Sequence, residues 1–308
     1  MEYKQLIDPE LRQIAKKIPY NRAIIWCANI FQSVSFNLTA IPKGVGGRTI
    51  MIAGHNGLQL KVAIFEPSNA KGALPCLIYV HGGAFSYRAA AYHKKLVCMY
   101  ALKAKCRVLF PDYHLTPKYP YPAAYGDVLA LYRYIMKNAD ESKIDIERIG
   151  IGGDSAGGTI AAMICNNYER ENLKRPCLQM LIYPLTNDDM ATDSMIKYAD
   201  APIWNLKNHK RMWRYYLKDA NNANAHEALP MHNALPQIIP ETYIETAEYD
   251  CLHDEGILYG KRLRDAGANV EMNETRGTIH GYDSAINTKI AHYNIDKRIL
   301  FLQREFNA

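Results

Sequence analysis

The sequence predicts an α/β fold in which a mostly parallel central sheet with an antiparallel start is flanked by helices and carries a helical cap. Three observations predict it. From Pro75 onward, short and nearly all-apolar runs alternate with longer amphipathic segments, the pattern of a parallel sheet covered on both faces. Ahead of them, two strand-like runs flank a turn containing Asn56-Gly57, so the sheet starts antiparallel. One later run, Arg148 to Ile151, passes into Gly153-Asp154-Ser155-Ala156-Gly157-Gly158 and then Thr159 to Ile164, which reads strand, tight turn, helix.

Taken in order, residues from about Asp8 to Ser35 place Leu11, Ile14 and Ile18, then Ile24, Ile25, Ala28 and Phe31, at roughly helical spacing broken by Pro19. This predicts two helices before the core, within a segment 1–45 expected to contribute to the cap. The hairpin follows as Arg48 to Ile52 and Leu58 to Phe65. The parallel strands are predicted at Cys76–Val80, Arg107–Phe110, Arg148–Ile151, Leu178–Ile182, Thr242–Thr246 and Asn269–Met272. Helices are predicted over Tyr92–Ala104, Ala123–Lys137, Ala156–Arg170 and Glu255–Ala266, and a last one from about Ser284 to Phe306. Between Pro184 and Pro240 the chain spends more than fifty residues before the next strand, more than one crossover helix needs. Residues 186–239 therefore read as a cap insertion, and 46–185 with 240–308 as the core.

The bulk numbers exclude several classes. A chain of 308 residues with 48% apolar and 22% charged residues is an ordinary globular protein with room for a substantial core. Its net charge of +6 is spread without a basic block, which argues against a nucleic-acid partner. The seven cysteines are widely spaced, mostly in apolar runs and without a C-x-x-C pair, so they read as reduced thiols packed as small hydrophobes. The opening Met1-Glu2-Tyr3-Lys4-Gln5 is polar and no stretch is long and apolar enough for a membrane span. The expectation is a cytoplasmic protein.

Small residues two before and two after Ser155 let a strand reverse sharply into a helix while holding that side chain up. The same turn leaves the Ala156 N–H at a helix N-terminus, which favours negative charge. Ser155 reads as a nucleophile, and a chance glycine-rich turn is the competing reading until other parts are found. The first parallel strand runs into His81-Gly82-Gly83-Ala84-Phe85, where backbone N–H groups of Gly82, Gly83 and Ala84 are expected to join that of Ala156 in an oxyanion hole. The competing reading there is a plain strand-ending turn. Asp112, in a proline-rich loop, reads as a structural carboxylate that accepts loop amides.

Past the insertion, Asp250 follows one strand and His280 the next, on the same carboxyl edge of the sheet as Ser155. Asp250 is the expected acid because it lies nearer the strand end. Asp254 is its rival, and with Glu255 it also suits a helix N-terminus. Among ten histidines, His280 stands out for its strand-exit position and flanking glycine.

Together, His81-Gly82-Gly83-Ala84, Asp112-Tyr113-x-Leu115-x-Pro117, Pro120-x-Pro122-Ala123-Ala124, Gly153 to Gly158, Asp250-x-Leu252-x-Asp254-Glu255 and His280-Gly281 resemble the hormone-sensitive-lipase-like branch of the α/β-hydrolases, the bacterial carboxylesterases and acetyl esterases. The resemblance covers about Leu58 to Tyr282. Two departures stand out. Ala84 occupies the place of a third glycine, and His114, Lys118 and Tyr119 replace an arginine, glutamate and histidine common in that loop, so the ion pair usual there is expected to be absent.

The resemblance implies an α/β-hydrolase fold and a catalytic triad of Ser155, His280 and Asp250 acting on a small-molecule, short-acyl ester, with neither metal nor organic cofactor and as a monomer or homodimer. Amides, formamides, carbamates and acetylated sugars are alternative substrates of the same chemistry, and a ligand-binding protein that lost catalysis is the remote alternative. Phe85, Tyr87, Trp204 and Trp213 are candidates for the pocket wall or for plain packing.

Overall fold

The computed structural model describes residues 2–220 and 222–308. An eight-stranded sheet runs through the molecule in the order β1-β2-β4-β3-β5-β6-β7-β8. The strands are β1 (Val45–Ala53), β2 (Gln59–Pro67), β3 (Leu74–Val80), β4 (Arg107–Pro111), β5 (Ile144–Asp154), β6 (Leu178–Ile182), β7 (Glu241–Ala247) and β8 (Val270–Thr275). The start is antiparallel, as expected: β1 pairs with β2 from Val45↔Pro67 to Ala53↔Gln59, closing through a 3-10 turn at His55–Gly57 where Asn56 takes a positive φ of 51°. β2 also runs antiparallel to β4, and every later pairing is parallel. Strands β3, β4 and β6 are buried almost along their length, as a sheet covered on both faces requires.

The helices are α1 (Arg22–Leu38), α2 (Ala91–Lys103), α3 (Ala123–Lys137), α4 (Ala139–Ser142), α5 (Ala156–Asn167), α6 (Asp193–Lys197), α7 (Leu206–Tyr216), α8 (Asn222–Glu227), α9 (His253–Asp265) and α10 (Lys289–Phe306). All twelve residues of α5 are buried, and its small residues Gly157, Gly158, Ala161 and Ala162 make that close packing possible. Asn21, Thr192, Asn205 and Thr288 cap α1, α6, α7 and α10 by accepting a backbone N–H inside the first turn. The last helix thus begins at Lys289, later than the pattern suggested, after a separate 3-10 turn at Tyr282–Ser284.

The N-terminal segment departs from expectation. Only one of the two anticipated helices forms; the stretch before it makes short 3-10 turns at Glu2–Gln5 and Pro9–Leu11. Between Pro9 and Pro19 the chain is too short to sustain a helix without tertiary support. Nor does the apolar spacing of α1 mark a buried face: Ile25 is buried, whereas Ile24 and Phe31 are exposed. Cys27 is likewise exposed on α1, while Cys177 is half-buried and the other five thiols lie in the core.

At the far side of the sheet, Arg298 of α10 is fully buried and bonds Glu245 of β7 at 2.5 Å and Asp283 at 2.7 Å. Tyr183 donates to the same Asp283 at 2.6 Å. Removing one member of such a buried group typically costs about 3–5 kcal/mol, so it locks α10 and the 282–284 turn against β7. That lock fixes the loop that carries His280.

Candidate active site

Parallel pairing of β3 with β5, and of β5, β6, β7 and β8 in turn, brings the loops that leave their carboxyl ends to one edge. Ser155 leaves β5 there with φ 52° and ψ −121°, a conformation residues with side chains rarely adopt, and stands at the start of α5 with its side chain free of any capping bond. Its N–H donates to Ile182 O at 2.8 Å, which holds the turn against β6. His280, in the loop after β8, places Nε2 2.9 Å from Ser155 Oγ. Its Nδ1 lies 2.6 Å from Asp250 Oδ2, in the loop after β7.

Asp250 is fully buried, and its other oxygen accepts the Leu252 N–H at 3.0 Å. With Nδ1–H donating to that carboxylate, Nε2 carries the lone pair that accepts the serine O–H. Asp254, the rival acid, is turned elsewhere: it accepts the Ser194 N–H at 2.7 Å and contacts His253 Nδ1 at 2.9 Å. Burial opposes ionisation of Asp254, but His253 and the Ser194 N–H outweigh it and hold its carboxyl below the usual range. Glu255 does not cap its own helix; its Oε2 takes the amides of Thr186 and Asn187.

The loop after β3 runs beside Ser155. A β-carbon on Gly82 would overlap the Asp154 carboxylate, so the backbone passes the nucleophile turn at a distance only glycine allows. Ala84 and Phe85 both take φ 54°. Burial disfavours the charged form of Asp154, yet His93, His81 and the Gly82 N–H prevail and keep its carboxyl below the usual range. Gly82 is thereby engaged with Asp154, whereas the N–H groups of Gly83 and Ala84 have no acceptor among the described residues. The Ala156 N–H belongs to the first turn of α5, where no intrahelical acceptor exists.

These groups open onto a cavity of about 270 Å³ lined in part by Gly82, Gly83, Ala84, Ser155 and His280. Of the four aromatic candidates, Tyr87 and Trp204 line it. Phe85 and Trp213 do not; Phe85 is fully buried and stacks on Tyr216 at 3.8 Å. Residues that the sequence did not assign to the site complete the wall, among them Tyr20, Ile24, Ala28 and Gln32 from the N-terminal segment, and Asn208 and Tyr183. The only signal for Ile24 and Ala28 was helical spacing, which marks a face without saying what it meets. Tyr183 packs 4.8 Å from the His280 ring and Trp204 lies 6.2 Å from it, centre to centre.

Trp204 packs edge-on against His209, whose Nε2 accepts the Trp213 indole N–H at 2.9 Å. Burial lowers His209 to about 3 and raises Glu255 to about 8. Their 3.9 Å approach is therefore a contact between neutral groups at neutral pH, despite the opposite charges the two residue types can carry. Asp112 also differs from expectation: it pairs with Arg88 at 2.7 Å on the surface. The loop amides of His55 and His114 go instead to the buried Asp127, at 2.8 and 2.7 Å, because that carboxylate rises from α3 directly beneath them. His114 Nδ1 also contacts Asp127 at 2.7 Å.

Comparison with known proteins identifies the family and the fold. The family described as the α/β-hydrolase fold matches residues 77–284. The chain belongs to that family. Esterase LipI of Mycobacterium tuberculosis is 32% identical over 289 residues, 91% of this chain and 88% of its own length. Carboxylesterase NlhH of the same species is 33% identical over 234 residues, 74% of this chain and 73% of its own. Among solved structures, esterase LipW of Mycobacterium marinum superposes with a TM-score of 0.91 at 26% identity, covering 100% of this chain and 98% of that one. A bacterial heroin esterase gives 0.89 at 28% identity, covering 99% of each chain. As an α/β-hydrolase the chain superposes on these two solved structures over nearly its whole length. No helix among the described residues is long and apolar enough to cross a membrane.

Proposed function

We propose that this α/β-hydrolase is a carboxylesterase that cleaves small, short-acyl esters through Ser155, His280 and Asp250. The observation that carries the reading is the continuous relay from Asp250 Oδ2 through His280 to Ser155 Oγ, at 2.6 and 2.9 Å, opening onto the cavity. His280 Nε2 takes the proton of Ser155 as Oγ attacks the ester carbonyl, and Asp250 holds the imidazole tautomer and stabilises its cation. The carbonyl oxygen becomes an oxyanion that accepts the N–H groups of Gly83, Ala84 and Ala156, each worth about 2.7–4 kcal/mol in the transition state. Collapse of this intermediate breaks the bond to the leaving oxygen, which receives the proton from His280. Water then attacks the acyl-serine with His280 as base, releasing the acid and restoring the serine.

The short-acyl preference is supported by the modest cavity and its aromatic wall of Tyr20, Tyr87, Tyr183 and Trp204. We assign the cap to 1–45 and 186–239, since Tyr20 and Ile24 of the first and Ile203, Trp204 and Asn208 of the second line the cavity over the core residues. The test is hydrolysis of p-nitrophenyl acetate and butyrate by the wild type and Ser155→Ala. Turnover is expected to fall to background in the variant; equal turnover by both overturns the reading. A matched amide is expected to react far more slowly than its ester.

A further inference from the structure

A surface helix of a globular protein normally turns its apolar stripe to the core and its polar residues to water. Helix α1 does the reverse. Ile25 is buried, while Trp26, Ile30, Phe31, Val34 and Leu38 are exposed at 67, 50, 73, 52 and 80%. At 3.6 residues per turn these five and Ile24 fall within one arc of roughly 160°. After Arg22, Asn37 is the only polar residue among the exposed positions of the helix.

The inner side of α1 is firmly held, so the outward arc is not a matter of a helix free to roll. Asn29 donates to Ser86 O at 2.9 Å and accepts from Arg88 N at 2.8 Å. Phe36 stacks on Phe110 at 5.7 Å, and Ala28 and Gln32 face the cavity.

The segment itself carries charge of one sign, and the acid beside it, Asp112 next to Ser33, Phe36 and Asn37, is paired with Arg88 at 2.7 Å. From Leu11 to Phe65 the sequence holds no aspartate or glutamate. Arg22 opens the helix, Lys16, Lys17 and Lys43 lie beyond its ends, and all four are exposed; Lys17 has an acidic neighbour only at 3.9 Å, Asp200.

We propose that α1, with the lysines and arginine at its ends, is a docking surface for anionic lipid membranes. The apolar arc enters the boundary between headgroups and acyl chains while the cations meet lipid phosphates, the two terms that together govern such binding. A second copy of the chain fits the surface less well, because a two-fold interface built on this face would set its cations against their own copies. The rim residues Ile18 and Ile24 are exposed and also line the cavity, so the docked face opens directly toward Ser155. The binding itself does not depend on the esterase reading.

The test uses the full chain with vesicles of phosphatidylcholine alone or mixed with phosphatidylglycerol, read by co-sedimentation and tryptophan emission. Trp204 and Trp213 are buried, so a blue shift reports Trp26. Binding to the anionic vesicles is expected to exceed binding to the neutral ones by about tenfold or more at low salt and to weaken as salt rises. The variant Phe31→Ser/Val34→Ser/Leu38→Ser, none of which lines the cavity, is expected to lose about tenfold or more in vesicle affinity while its hydrolysis of p-nitrophenyl acetate is kept. Lys16→Glu/Lys43→Glu, which leaves the apolar arc intact, is expected to lose the preference for anionic vesicles. Absence of wild-type binding to anionic vesicles overturns the proposal, as does undiminished binding by both variants. A wild-type dimer in light scattering that the serine variant dissolves into monomers also overturns it, since the face would then belong to a second copy.

Discussion

His280 Nδ1 stands 2.6 Å from Asp250 Oδ2, and the carboxylate is fully buried. Asp254, four residues on, accepts the Ser194 N–H from the 186–239 segment instead. The two acids are therefore separable by mutation. Asp250→Asn presents an amide where the imidazole N–H needs an acceptor and is expected to lower kcat by about 10⁴-fold with little change in KM. Asp254→Asn is expected to change kcat by less than about tenfold. Steady-state kinetics on p-nitrophenyl acetate, with both variants, reads the difference; a larger loss in Asp254→Asn would reverse the assignment.

Ala28 lines the cavity from α1, and a larger side chain there takes volume from the acyl site without touching Ser155 or His280. Ala28→Phe is expected to lower kcat/KM for p-nitrophenyl hexanoate roughly tenfold more than for the acetate, the scale on which a hydrophobic pocket discriminates by size. An equal loss on both esters would remove Ala28 from the acyl site.

Gly157, in the first turn of α5, lies so close to β3 that an added β-carbon would overlap the carbonyl oxygen of Val80 and sit 2.6 Å from its carbonyl carbon. Backbone cannot step aside as a flexible side chain can. Gly157→Ala is expected to destabilise the protein by about 1–3 kcal/mol or more, seen as a lowered Tm. Gly158→Ala meets its nearest atoms at 3.1 and 3.2 Å and is expected to cost less.

Burial raises Glu255 from 4.5 to about 8. Across that window the folded protein retains a proton that the unfolded chain releases, so this group makes stability fall as pH rises from about 4.5 to 8. His209, lowered by burial from 6.5 to about 3, acts oppositely and only on the acid side: its contribution is present above 6.5 and is lost as pH falls toward 3. Between pH 6.5 and 8 the Glu255 effect stands clear of that of His209. Glu255→Gln, which keeps an acceptor for the Thr186 and Asn187 amides, is expected to flatten the decline of Tm over that interval. A decline as steep as that of the wild type would show that Glu255 is already ionised in the folded state.

Much of the architecture was legible because it rests on local pattern. The apolar runs marked β3, β4 and β6 most plainly, since a strand buried on both faces is mostly apolar. The Gly153 to Gly158 stretch announced a tight turn from strand to helix, and the structure has Ser155 in it at φ 52°. The N-terminal segment was read less well: spacing predicted two helices, and one formed, with its apolar residues largely outward. Periodicity reports that apolar residues share a side of a helix and is blind to which way the side points. Asp112 was read as a receiver of loop amides that Asp127 in fact takes, because sequence distance does not reveal which carboxylate rises beneath a loop.

The sequence by itself determined the sheet, the order of the loops at its carboxyl edge, and the serine, the two rival acids and the histidine that those loops carry, because backbone conformation and burial period are written in neighbouring residues. Tertiary structure decided the rest. The choice of Asp250 over Asp254 as the neighbour of His280, the entry of Trp204 but not Trp213 into the cavity wall, and the outward turn of α1 each depend on distances between segments far apart in the chain. Hydrogen bonds and packing fall off within a few tenths of an ångström of their optimum, and only the folded chain sets separations that finely.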